Sequence, residues 1–93
     1  MSNLEENYSL INIQNAIKYM ITHYRTLKTK TRYYLVNKED LQDVLNWLDE
    51  ESDDKVQRGS DIVYTFNLAS FDGQFKITVT LNLVSLIAEV KMV

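Results

Sequence analysis

Apolar residues near the start of the chain recur with the spacing of a helix. They follow one another at intervals of three or four residues, which places them along one stripe of an α-helix. Asn7 or Ser9 can cap the first turn, because each side chain offers an oxygen to a free backbone N–H. We expect the stripe to face the core of the protein. Its members are Leu10, Ile13, Ile17, Met20, Tyr24 and Leu27.

A short strand and a second helix are predicted next. Residues 31–36 are rich in aromatic and β-branched side chains, which is typical of a strand. Asn37 can cap a helix that follows. Glu39 and Asp40 add negative charge to its first turn, which is favourable at a helix N-terminus. The apolar stripe of this helix consists of Leu41, Val44, Leu45 and Leu48, with Trp47 on its flank.

A β-hairpin is predicted around Asp72-Gly73. An Asp-Gly pair between two alternating runs is typical of a two-residue type I′ turn, in which both turn residues need a positive φ. The register that follows from this turn pairs Leu68 with Ile77 and continues outward with apolar residues opposite one another. A slip of one residue would exchange the two faces of the hairpin.

The end of the chain alternates again, with Ala88, Val90 and Met92 on one side. Residues 86–93 therefore predict a further strand, although a short helix is also compatible with the unusual turn sequence before them. The element order is α-β-α-β-β-β in one domain spanning 1–93. We expect an α+β fold of two layers, with two helices packed on one face of an antiparallel three- to four-stranded sheet.

The composition of the chain argues against several classes of function. The chain has 93 residues, a net charge of −3, no cysteine and a single histidine, His23. This inventory offers too few nitrogen and sulfur ligands for a zinc site and no nucleophile pattern, so we expect no enzyme, no cofactor and no metal. The first ten residues lack the basic and then apolar order of an export signal, and no apolar run could span a membrane. We expect a cytoplasmic protein.

Charge is distributed unevenly along the chain. More than half of the acidic residues lie between Glu39 and Asp54. The carboxylates at the end of the second predicted helix oppose its dipole, so local stability does not explain them. They are our candidate protein-binding residues, and a solvated face is the alternative interpretation. These residues are Asp49, Glu50, Glu51, Asp53 and Asp54.

A basic and aromatic segment precedes the acidic run. Cations can neutralise phosphates while tyrosine rings stack on bases, so this segment is the candidate for an alternative function in nucleic-acid binding. A solvated helix end and strand is the structural alternative. The candidate residues of this basic-aromatic segment are Arg25, Lys28, Lys30, Arg32, Tyr33, Tyr34 and Lys38.

In size, acidity and lack of catalytic residues, the chain is similar to small acidic proteins that phages and mobile elements use against host defence or nucleic-acid enzymes. Anti-CRISPR proteins are among them. This resemblance implies an inhibitor that binds another protein with a basic surface, and it assigns no role to any single residue. Residues 75–93 carry no proline and few charges, so we also expect a possible homodimer through an uncovered sheet edge there or through the first helix.

Overall fold

A computed structural model describes residues 7–28, 30–70 and 73–93. In these ranges, two α-helices and a short 3₁₀ turn accompany one antiparallel sheet of five strands, in the spatial order β1-β5-β4-β3-β2. The predicted α+β class is therefore confirmed, but the sheet has five strands instead of three to four. The elements are α1 Tyr8–His23, β1 Thr31–Leu35, the 3₁₀ turn Lys38–Asp40, α2 Leu41–Glu51, β2 Asp54–Arg58, β3 Asp61–Ser70, β4 Gly73–Asn82 and β5 Ile87–Met92.

Helix α1 begins at a cap formed by Asn7, one of the two predicted caps. The Asn7 Oδ1 accepts a hydrogen bond of 2.9 Å from the backbone N–H of Leu10. The middle of the predicted stripe is buried, including Ile13 and Met20. The helix ends at His23, because the chain turns toward β1, so Tyr24 lies beyond the helix although it still packs against the core.

Helix α2 does not begin at Asn37. The Asn37 side chain makes no capping hydrogen bond, and residues 38–40 form a 3₁₀ turn before the helix starts at Leu41. The backbone N–H of Asn37 donates instead to Oγ of Ser9, over 2.9 Å. The predicted apolar stripe of α2 is confirmed, since Val44 and Leu48 are fully buried and Leu41 and Leu45 pack against the core.

The β3–β4 hairpin has a different register from the predicted one. Leu68 pairs with Phe75, and Phe66 pairs with Ile77, so the strands are shifted by two residues. A shift of two keeps every side chain on its face, and for that reason the alternation could not distinguish the two registers. Gly73 has a φ of 130° and pairs with Ser70 as the last pair of the ladder. The predicted turn residue Asp72 lies outside the described residues.

The C-terminal segment forms a strand, β5, and not a helix. Residues 87–92 form a strand between β4 and β1, and Ala88 and Val90 are fully buried. The connection from β4 is held by Asn82, whose Oδ1 accepts hydrogen bonds from the N–H groups of Val84 and Ser85. Because β4 and β5 both lie inside the sheet, the uncovered edge predicted within 75–93 does not exist. The edge strands are β1 and β2.

The core lies between the helices and one face of the sheet. Side chains of β3, β4 and β5 alternate between this face and the opposite one, which no described helix covers and which we call the open face. On the helix side, the Trp47 and Phe66 rings lie 5.9 Å apart and join α2 to β3. Neither described helix is long and apolar enough to cross a bilayer.

Candidate functional site

The candidate acidic residues lie where α2 ends and β2 begins, a region that we call the acidic corner. It comprises Asp49, Glu50, Glu51, Asp53 and Asp54. The first three belong to the last turn of α2, because the helix ends at Glu51. Asp53 and Asp54 are not part of the helix, and Asp54 is the first residue of an edge strand. The five residues therefore lie at the end of α2, at the start of β2 and in the connection between them.

Asp49 has a structural partner on each of two strands. Its Oδ1 lies 2.9 Å from Nζ of Lys55 in β2 and accepts a hydrogen bond of 3.1 Å from the Tyr64 hydroxyl in β3. The hydrogen bond from Lys55 has the largest effect and lowers the pKa of the Asp49 carboxyl. Partial desolvation opposes this effect, and the Tyr64 hydrogen bond adds to it. Asp49 therefore connects α2 to β2 and β3.

Asp53 also makes hydrogen bonds that stabilise the fold. Its Oδ2 accepts a hydrogen bond of 2.7 Å from the backbone N–H of Asn67, and its own N–H donates to the carbonyl of Thr65 over 2.8 Å. A carboxylate that accepts from a backbone N–H makes a charge-assisted bond, which is stronger than a neutral one. Asp53 thereby fastens the start of β2 to β3.

Glu50, Glu51 and Asp54 have no such structural partner. All three are exposed, and their side chains make no hydrogen bond or ion pair with any described residue. Glu50 and Glu51 stand at the negative end of the α2 dipole, where a carboxylate is electrostatically unfavourable. Stability of the fold therefore does not account for these three charges.

The basic-aromatic segment is divided between two sides of the sheet. Arg32 and Tyr34 point to the helix side, with the Arg32 guanidinium carbon 4.7 Å from the centre of the Tyr19 ring and Tyr34 packed against the core. Tyr33 points to the open face and donates a hydrogen bond of 3.2 Å to Glu89. This bond and the charge of Glu89 raise the pKa of Tyr33, with a smaller contribution from desolvation.

The other cations of the segment lie outside β1. Arg25, Lys28 and Lys30 are exposed in the connection between α1 and β1, and Lys38 begins the 3₁₀ turn. The Arg25 Nε donates to the Tyr24 hydroxyl over 3.2 Å. The seven candidate residues therefore lie on both faces of β1, in the connection before it and in the 3₁₀ turn after it.

Two features of the surface were not predicted from the sequence. Tyr33, Leu35 and Ile87 expose large apolar side chains on the open face beside the β1 edge. The second feature is β2 itself, whose residues are all exposed. The dipeptide Gly59-Ser60 between two possible strands was the signal for β2, since Gly-Ser is a known hairpin turn.

His23 lies at the exposed end of α1. Its ring lies 4.3 Å from the Tyr19 ring. Within residues 7–28, 30–70 and 73–93, no three His, Cys, Asp or Glu side chains are grouped so that they could hold a metal ion.

Comparison of the chain with protein-family models, with curated proteins and with solved structures found no match in any of the three.

Proposed function

We propose that this chain is a non-catalytic protein-binding module whose partner presents a basic surface. The observation that supports the proposal is that only some carboxylates of the acidic corner have partners within the fold. Asp49 and Asp53 hold the corner in place through partners of their own, while Glu50 and Glu51 project from it without a described partner. Charges that a fold does not need, placed on a rigid support, are suited to intermolecular contact.

The expected contribution of these charges is mainly kinetic. Exposed ion pairs add only about 0–1 kcal/mol each to stability or affinity. Complementary charge patches nevertheless accelerate encounter, and salt suppresses that acceleration because it screens charges beyond roughly 8–10 Å. The acidic corner would therefore steer a basic partner toward the protein, and other contacts would hold it there.

The biological role that we propose is that of a small cytoplasmic inhibitor from a phage or another mobile element, directed at a host defence or nucleic-acid enzyme. Small size and net negative charge support this role, since enzymes that handle nucleic acids present basic surfaces. Nucleic-acid binding through the basic-aromatic segment is the alternative function. It has less geometric support, because Arg32 and Tyr34 face the helices and Tyr33 lies beside Glu89.

The test compares two variants with equal charge. Glu50→Gln with Glu51→Gln neutralises the two projecting carboxylates, and Glu39→Gln with Glu89→Gln neutralises two carboxylates elsewhere. Neutralising all five residues of the acidic corner would be a poorer test, because it would also disturb Asp49 and Asp53. Both of these carboxylates accept hydrogen bonds from β3.

The partner is first captured from a host extract with the wild-type protein, and association rates are then measured at two salt concentrations. We expect the corner variant to associate several-fold more slowly than both the wild type and the control, and the difference to shrink at high salt. Equal rates for all three proteins, without salt dependence, would show that the acidic corner is only a solvated face. A shift of labelled nucleic acid by the wild type would instead favour the alternative function.

A further inference from the structure

Strand β2 is an exposed edge whose outer backbone groups are available for pairing. It is joined to β3 by the two-residue turn Gly59-Ser60, and Arg58 pairs with Asp61 directly across that turn. The pair that flanks a two-residue hairpin turn is hydrogen-bonded, and hydrogen-bonded and open pairs alternate along an antiparallel ladder. The N–H and C=O groups of Lys55 and Gln57 therefore point away from β3, toward solvent.

The side chains of β2 on the open face carry opposite charges at the two ends of the strand. Asp54, Val56 and Arg58 pair with open-face residues of β3, so they lie on that face. Neither the Asp54 carboxylate nor the Arg58 guanidinium makes an ion pair or side-chain hydrogen bond with a described residue. Four residues of a strand separate their Cα atoms by about 13 Å, so the two charges cannot pair with each other.

We propose that β2 pairs with β2 of a second copy of this chain, antiparallel and about a two-fold axis through Val56. In this register Lys55 lies opposite Gln57 of the second copy, and their outward N–H and C=O groups bond across the axis. Asp54 lies opposite Arg58 of the second copy, and the reverse pair forms at the other end. Two five-stranded sheets thereby become one of ten strands.

The charges of β2 favour this symmetric pairing. Charged residues on an edge strand commonly prevent edge-to-edge association. Here, however, reversal of the strand brings each charge opposite its complement, and opposite-charge pairs across an antiparallel ladder are stabilising. Val56, which is 41% exposed, meets Val56 of the second copy on the open face. The other edge, β1, has no acidic residue in Thr31–Leu35, so its self-pairing would offer no ion pair.

The helices leave room for this arrangement. Helix α2 packs on β3 through Trp47 and Phe66, and its last turn also reaches β2 through the ion pair of Asp49 with Lys55. The β3 strands of the two copies would be separated by three strand spacings, about 14 Å, and a helix with its side chains is about 10–12 Å wide. The parts of the two α2 helices that pack on β3 would therefore have room to lie side by side. Glu50 and Glu51 are not part of the pairing, so this inference does not depend on the proposed function.

Charge reversal at the two ends of β2 tests the proposal. Asp54→Arg gives a strand with two cations that face one another in a symmetric dimer, and Arg58→Asp gives a strand with two anions. We expect the wild type to dimerise in the high micromolar range and each single variant to dimerise about tenfold more weakly or worse. An equimolar mixture of the two variants should recover the wild-type affinity, because each cationic strand then meets an anionic one. Sedimentation equilibrium at several concentrations measures all four samples.

A backbone variant separates strand pairing from a general charge effect. Gln57→Pro removes an outward N–H without a change in charge, and proline is tolerated where the N–H of an edge strand faces solvent. We expect it to abolish the dimer while circular dichroism shows a folded monomer. A wild type that remains monomeric at high micromolar concentration would overturn the proposal. So would single variants that dimerise as well as the wild type, or a mixture of the two that stays monomeric.

Discussion

The hydroxyl of the buried Tyr64 donates to Oδ1 of Asp49 over 3.1 Å, and Nζ of Lys55 lies 2.9 Å from the same oxygen. Tyr64 has no exposed surface, whereas Asp49 stands at the rim of the core. One carboxylate oxygen thus satisfies a buried hydroxyl and an exposed ammonium, and it joins α2, β2 and β3 at one point.

Replacement of Asp49 by alanine should destabilise the protein by about 1–3 kcal/mol, because the buried Tyr64 hydroxyl would lose its acceptor. Chemical denaturation followed by the fluorescence of Trp47 measures the change. Glu50→Ala, at the neighbouring position, is the matched control and should alter the free energy of unfolding by less than about 0.5 kcal/mol. Equal stability of the two variants would mean that the Tyr64 hydroxyl finds another acceptor.

Tyr64 should also make the protein sensitive to alkali. Burial first, and then the hydrogen bond to Asp49 and its charge, raise the pKa of Tyr64 well above its usual value. A raised pKa in the folded state means that the folded protein holds the proton more tightly than the unfolded chain. The resulting stability is fully present below about pH 10, the value for an unfolded tyrosine, and is lost as the pH rises from there toward the folded pKa.

Urea unfolding between neutral pH and about pH 11 measures this effect, with Tyr64→Phe as the control. The difference in unfolding free energy between the wild type and the control should shrink above about pH 10, because only the wild type carries the titrating hydroxyl. A difference that stays constant across this range would show that Tyr64 titrates alike in both states.

Ser9 provides a buried polar link between the start of α1 and the 3₁₀ turn. Its Oγ accepts from the backbone N–H of Asn37 over 2.9 Å and donates to Oδ2 of Asp40 over 3.1 Å. Ser9→Ala should cost about 1–3 kcal/mol, because the Asn37 N–H loses its acceptor in a partly buried site. Thermal denaturation of this variant and of the exposed control Ser60→Ala should separate them. A Ser9→Ala variant as stable as the control would mean that water replaces the hydroxyl.

Gly59 is the first residue of the β2–β3 turn and has a φ of 60°. A positive φ at this position only is the pattern of a type II′ turn. No atom lies within 4 Å of a Cβ built there, so a substitution is opposed by backbone strain and not by a clash. Gly59→Val should cost about 1–3 kcal/mol, while Gly59→Asn should cost less, since asparagine is one of the residues that primed hairpin turns favour at a positive φ.

The two Gly59 variants also report on β2, which the turn holds against β3. Amide hydrogen exchange of residues 54–58 should accelerate more in Gly59→Val than in Gly59→Asn. Identical stability and exchange in both variants and in the wild type would show that this turn does not require a residue that favours a positive φ.

Local patterns in the sequence determined the elements whose side chains repeat over many residues. The stripe through Ile13 and Met20 identified α1, and Asn7 was one of two candidate caps for its start. Alternation identified β3, β4 and β5 and separated their buried residues from their exposed ones, because one face of a strand must be apolar to pack. These features depend on neighbours in the chain, and for that reason they could be predicted.

Tertiary structure decided the rest, because it depends on contacts between residues distant in sequence. Alternation has a period of two, so it could not choose between pairing Leu68 with Ile77 and pairing it with Phe75. Strand β2 is exposed on every residue and has no apolar pattern to reveal it. Only the tertiary structure could show which carboxylates of the acidic corner have a structural role. Asp49 and Asp53 accept hydrogen bonds from Tyr64 and Asn67, which are distant in sequence. Glu50 and Glu51 are left without a described partner.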